Sequence, residues 1–179
     1  MDPKQIKLGE VALKAAIVHS VTYMVMGLLA STVFDYADLF ATSGLGDYMR
    51  PVTDRWVMAG PLFQPLRGAL FGLVVYVLRQ PVLGSRRGWL TLWFVLVALG
   101  IAGTFGPAPG SFEGLIYTVL PLWTHLRGLP EVLLQSLLFA LLLHVWVTAP
   151  RRWLTWTLST TCAILLALPV LGLLVTGPG

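Results

Sequence analysis

Residues 129–176 read LPEVLLQSLLFALLLHVWVTAPRRWLTWTLSTTCAILLALPVLGLLVT, two apolar runs joined at Ala149-Pro150-Arg151-Arg152. No Lys or Arg interrupts either run. Each is long enough to cross a hydrocarbon core of roughly 30 Å, which takes about 20 residues of helix. Lipid offers backbone N–H and C=O groups no partner, so both runs must be helices. Their short basic connection makes them a hairpin.

Working outward, three more stretches have this character. The expected spans are about 12–34, 58–79, 88–105, 129–148 and 153–176. The reading is an all-α membrane protein, one integral domain over residues 1–179, with about five transmembrane helices. Composition agrees: 56% of the 179 residues are hydrophobic and 11% charged. Soluble domains carry about 25% charged residues. Lys4, Lys7 and Lys14 precede an apolar stretch and the small residues Ala30 and Ser31, an order that imitates a signal peptide. The stretch is read instead as the first helix.

The net charge of +4 does not indicate a nucleic-acid partner, because the basic residues lie at the ends of apolar runs rather than in one patch. With five spans, Lys4, Lys7, Lys14, Arg79, Arg86, Arg87, Arg151 and Arg152 all fall on one side. Arg50, Arg55, Arg67 and Arg127 fall on the other, with Asp35, Asp38, Asp47, Asp54, Glu113 and Glu131. Basic residues concentrate on the cytoplasmic side. The expected orientation in a plasma (inner) membrane is N-terminus inside, C-terminus outside. Trp89, Trp93, Trp146, Trp153 and Trp156 fall near inner span ends, and Trp56 and Trp123 near outer ones, as interfacial indoles do.

The outer connections, about 35–57 and 106–128, are long and rich in Gly and Pro, as in Thr42-Ser43-Gly44-Leu45-Gly46 and Gly106-Pro107-Ala108-Pro109-Gly110. Loops of this length are uncommon unless they serve a function. Segment 112–126 is too apolar for a solvated loop and too short to span, so it reads as an interfacial or re-entrant helix.

The chain also resembles itself. Pro61-Leu62-Phe63-Gln64-Pro65-Leu66-Arg67-Gly68 matches Pro121-Leu122-Trp123-Thr124-His125-Leu126-Arg127-Gly128 at five of eight positions. Arg86-Arg87-Gly88-Trp89-Leu90-Thr91 matches Arg151-Arg152-Trp153-Leu154-Thr155 with one gap. This suggests a parallel two-helix repeat, spans two and three against four and five. The first span would then stand alone or pair loosely with the third.

Arg67 and Arg127 occupy matching outer positions in this repeat. An intramembrane arginine is costly and needs a partner. Asp35, Asp38 or Glu113 could supply one, and so could a lipid phosphate or an anionic ligand, which guanidinium binds in bidentate fashion. The candidate ligand- or lipid-binding set is Arg67, Arg127, Glu113, Gln64 and His125. His125 also has general-base chemistry. His19 and His144 are a weak haem-ligand alternative. Gln64 and Gln135 are suited to hydrogen bonding between helices. Gly68 and Gly72 mark a helix-contact face, and Pro169 a kink. The single Cys162 and three scattered histidines make no zinc set. No cofactor or metal is expected.

No catalytic motif is present, so enzymatic activity is not expected. The expected role is an accessory or interaction subunit of a membrane assembly, packed against lipids and a protein partner or second copy. The alternative is a protein handling a lipid headgroup or small anion at the outer leaflet, as a membrane enzyme or transporter, through Arg67 and Arg127.

Overall fold

The computed structural model describes residues 5–42, 44–47, 49–51, 53–104 and 106–175. Lys4, Ser43 and the expected span ends at 105 and 176 lie outside the described residues. Among the described residues all the regular secondary structure is helical, with no strand. The α-helices are α1 (Leu8–Val33), α2 (Tyr36–Thr42), α3 (Arg55–Ala59), α4 (Gln64–Val77), α5 (Arg79–Leu83), α6 (Gly88–Val97), α7 (Phe112–Tyr117), α8 (Leu122–Thr148) and α9 (Arg152–Val175). A 3₁₀ turn, Gly60–Phe63, joins α3 to α4, and α6 runs into a π turn, Ala98–Ala102.

Four helical stretches are long and apolar enough to cross a membrane: Leu8–Val33, Arg55–Val77, Leu122–Thr148 and Arg152–Val175. This is compatible with a multi-pass membrane protein. The stretch expected at 88–105 is the exception. Its helix ends at Ala102, and Gly88–Ala102 is shorter than the other four. The helix stops at Gly103, because glycine gains least from a helix.

Two further boundaries differ from expectation. Segment 112–126 is not one interfacial helix. Six residues form α7, started by Ser111, whose side chain accepts from the Gly114 N–H at 2.9 Å. Residues 118–121 are extended or irregular, and α8 then runs for 27 residues straight through Pro130. Arg127 and Gly128 therefore belong to the long helix. In the other long loop, α3 starts at Asp54, whose Oδ1 accepts from the Trp56 N–H at 2.7 Å. That N–H, together with Arg50, holds the Asp54 carboxyl below its ordinary range.

The first helix neither stands alone nor pairs mainly with the third span, the two arrangements the repeat suggested. It is the hub, packing on α4, α8 and α9. Glycine is the cause. A Cβ at Gly68 would meet the Ala16 Cα at 2.7 Å, and one at Gly72 the Ala12 Cα at 2.6 Å. Only bare backbone fits there, the small-residue contact that lets membrane helices approach closely. The pairing of 68 with 16 and 72 with 12 makes α1 and α4 antiparallel. α8 is also antiparallel to α1: Lys14 Nζ donates to the Trp146 carbonyl at 3.1 Å, and Gly27 faces the Glu131 carboxylate. α9 returns, with Thr155 beside Trp146 at one end and Gly172 beside Met58 at the other.

The core lies in the half of the bundle nearer Lys14: Val11, Ala15 and Val18 of α1, Val75 of α4, Leu92 of α6, and Phe139, Leu143 and Trp146 of α8. Trp146 is 2% exposed, so it is a core residue and not the interfacial indole its position suggested. Its Nε1–H donates to Thr155 Oγ1 at 2.9 Å, joining α8 to α9.

The chain breaks at Leu78 and turns through α5 inside the bundle, leaving Val82 and Leu83 buried. A buried break exposes backbone carbonyls that need donors. His144 Nδ1–H supplies one to the Val82 carbonyl at 2.9 Å. Arg79 supplies another, from Nη1 to the Tyr76 carbonyl at 3.0 Å.

Candidate functional site

Because α4 and α6 diverge, a cleft of about 340 Å³ opens between them, backed by α8 and floored by α1. Small-molecule sites start at about 300 Å³. Phe71, Val74 and Val75 of α4 face Leu92, Val95, Leu96 and Leu99 across it. Phe139 and Val132 of α8 line the back, and Gly100 lies at the end of α6. The polar groups of the lining are Arg67, His19, Gln135 and Ser136.

Arg67 is the only ionised side chain of this lining. It is exposed, and its guanidinium stands 5.6 Å from the Phe71 ring centroid. Among the described residues the ion pairs are Lys14–Glu10 and Arg50–Asp54. The carboxylates expected to pair with Arg67, namely Asp35, Asp38 and Glu113, do not. Asp35 and Asp38 are exposed at the start of α2, and Glu113 lies on α7, away from the cleft.

The position of Arg67 along the bundle is distinct from that of Arg127. Its neighbour Gly68 packs on Ala15 and Ala16, whereas Arg127 lies one turn beyond Glu131, which faces Gly27. The two arginines are therefore roughly 22 Å apart along the axis, at about 1.5 Å of rise per residue. They do not form a pair at one depth. They also lean in opposite senses, Arg67 over Phe71 and Arg127 over Trp123, at 4.9 Å from the ring centroid. The matched sequences thus sit in different surroundings. Gly68 is sealed against α1, and Gly128 has open space where a Cβ would go.

Gln64 reaches the site indirectly. Its Nε2 donates to the Gly60 carbonyl at 3.2 Å, which turns its Oε1 toward His19 Nε2, 3.1 Å away. The His19 ring packs edge-on against Phe71 and Phe139, with centroids at 4.9 and 5.8 Å. Trp93 fixes the far wall by donating from Nε1 to the Leu133 carbonyl at 3.2 Å.

His125 belongs to a different structure. It is 3% exposed; Nδ1 accepts from the Gly110 N–H at 3.1 Å, and Nε2 lies 3.4 Å from Thr118 Oγ1. It holds the Gly-Pro-rich loop against α8. His19 and His144 each commit one ring nitrogen to a neighbouring helix, and His144 does not line the cleft. Among the described residues, no group of three or more His, Cys, Asp or Glu side chains could hold a metal ion.

Of the five candidate residues, Arg67 alone lines the cleft, Gln64 stands behind its wall, and Arg127, Glu113 and His125 lie elsewhere. The sequence casts Gln135 as a helix-to-helix hydrogen bonder. It faces the cleft and makes no hydrogen bond with the described residues. The Gln135-Ser136 pair inside an apolar run was the sequence signal for it. No family model, curated protein or solved structure matches the chain.

Proposed function

We propose that this chain is a membrane-embedded binding protein for an anionic amphiphile, whose carboxylate or phosphate head pairs with Arg67 while its apolar body fills the cleft. One observation carries the reading: a guanidinium with no carboxylate partner among the described residues, on the wall of a mainly apolar cavity. Ionisable groups at such depth face the bundle interior or a cavity and mark binding paths. Guanidinium matches a carboxylate or phosphate with two parallel hydrogen bonds. Gln135 adds a neutral amide along the same wall. The reading is of binding without catalysis, in a plasma membrane, with five crossings and a cytoplasmic N-terminus.

The test is purification in a mild detergent, followed by native mass spectrometry and extraction of retained small molecules. A retained acidic lipid or fatty acid, lost in Arg67→Gln and kept in Arg127→Gln, is expected. A stoichiometric protein partner with no such ligand would instead favour the accessory-subunit reading. Retention of the ligand by Arg67→Gln would overturn the role of this arginine.

A further inference from the structure

We infer that the head group held at Arg67 carries a hydrogen-bond donor beside its negative charge, and that His19 Nδ1 accepts from it. This rests on the binding reading above and specifies the ligand class further: hydroxylated acids, or phosphate esters bearing a proton or hydroxyl, over plain carboxylates.

Three groups, in the 3₁₀ turn, α4 and α1, fix the tautomer of His19. The Gly60 carbonyl can only accept, so the Gln64 atom that meets it must be the amide nitrogen. Reversing the amide would set two acceptors against each other. Gln64 Oε1 is therefore the atom that faces His19, and it too can only accept. His19 Nε2 must carry the ring proton and donate. In a neutral imidazole the other nitrogen is then a lone-pair acceptor.

That acceptor, Nδ1, has no partner among the described residues. The ring is 3% exposed, and it lines the cleft. An acceptor left unpaired in a largely apolar cleft costs free energy that a donor on the ligand would recover. The Phe71 ring connects the two polar groups, with His19 edge-on against it and the Arg67 guanidinium above it. A head group seated at Arg67 thus lies next to the same aromatic wall as His19. Phe71 and Phe139 also prevent the imidazole from turning away. Gln64 acts as a positioning residue, setting which nitrogen faces the ligand without lining the cleft itself.

Selectivity of this kind is strong in principle, because a site with a fixed polar group penalises the analogue that leaves it unpaired. The probes are dodecanoic acid and 2-hydroxydodecanoic acid, equimolar, offered to the detergent-purified protein, with the ratio of the two adducts read by native mass spectrometry. The wild type is expected to favour the hydroxy acid by roughly fivefold, as one neutral hydrogen bond allows. His19→Phe keeps the aromatic packing and is expected to bring the ratio to that of free partition. Gln64→Leu, which leaves the cleft lining intact, is expected to shift the ratio in the same direction. An unchanged ratio in both variants, with binding of both acids still lost in Arg67→Gln, overturns this inference and leaves the arginine reading standing. Failure of the wild type to bind either acid overturns both.

Discussion

Gly68 lies against Ala16 so closely that a Cβ on the glycine would stand 2.7 Å from the alanine Cα. This contact, repeated one turn on at Gly72 and Ala12, sets the distance between α1 and α4 and hence the floor of the cleft. The matching glycine of the internal repeat, Gly128, has nothing within 4 Å of its Cβ position. One substitution should therefore have opposite effects at the two sites. Gly68→Ala is expected to destabilise by about 1–3 kcal/mol through overpacking. Gly128→Ala is expected to stabilise by up to about 1 kcal/mol, since alanine is the better helix former. Thermal unfolding of the two variants in one detergent checks the difference in sign.

At the other end of the bundle, the Tyr36 hydroxyl donates to the Glu131 carboxylate, linking α2 to α8. Burial, and then the adjacent carboxylate, push the Tyr36 hydroxyl above the ordinary tyrosine range. A group whose pKa is raised on folding contributes stability that is complete below its unfolded pKa, near 10, and is lost as pH rises beyond it. Tyr36→Phe is expected to cost about 1 kcal/mol at neutral pH. It should also flatten the loss of stability above about pH 10. Melting temperature against pH for the two proteins measures both effects.

His125 accepts from the Gly110 N–H and lies beside Thr118, fixing both ends of the segment that carries α7. His125→Ala removes the acceptor and leaves the half-buried Gly110 N–H unpaired. Faster amide hydrogen exchange is expected at 106–118, with residues 133–147 unchanged. Equal exchange in the two proteins would mean that the loop is held by its apolar contacts instead.

Whether α6 crosses the membrane is open to a direct test. Ser85 and Pro109 are both exposed and flank α6 with its π turn. With Cys162 replaced by Ser, Ser85→Cys should react with a membrane-impermeant maleimide only after cells are opened. Pro109→Cys should react in intact cells. Reaction of both from the same side would make Gly88–Ala102 re-entrant and leave four crossings.

Much of the architecture was legible in the chain, because burial in lipid requires long apolar helices and such runs are visible in composition alone. The runs at Leu8–Val33 and Arg152–Val175 needed no tertiary information, nor did the contact face at Gly68 and Gly72, whereas reading 112–126 as a separate element hid the start of Leu122–Thr148. The 88–105 stretch was overestimated because apolar character continues through glycines that end the helix. The cleft was only partly legible. Arg67 was found because charge is conspicuous in an apolar run. Phe71, Leu96 and Phe139 were not, because a leucine or phenylalanine facing a cavity reads the same as one facing a core.

The sequence by itself determined the helical class, the placement of basic residues at helix ends and the presence of a costly arginine. These follow from transfer energies, which depend on residue type and local run length. Only the tertiary structure decided that α1 is the hub and that α4 and α6 part around an apolar space. Those follow from how closely neighbouring backbones approach, which depends on contacts between residues distant in sequence and leaves no mark on either segment alone.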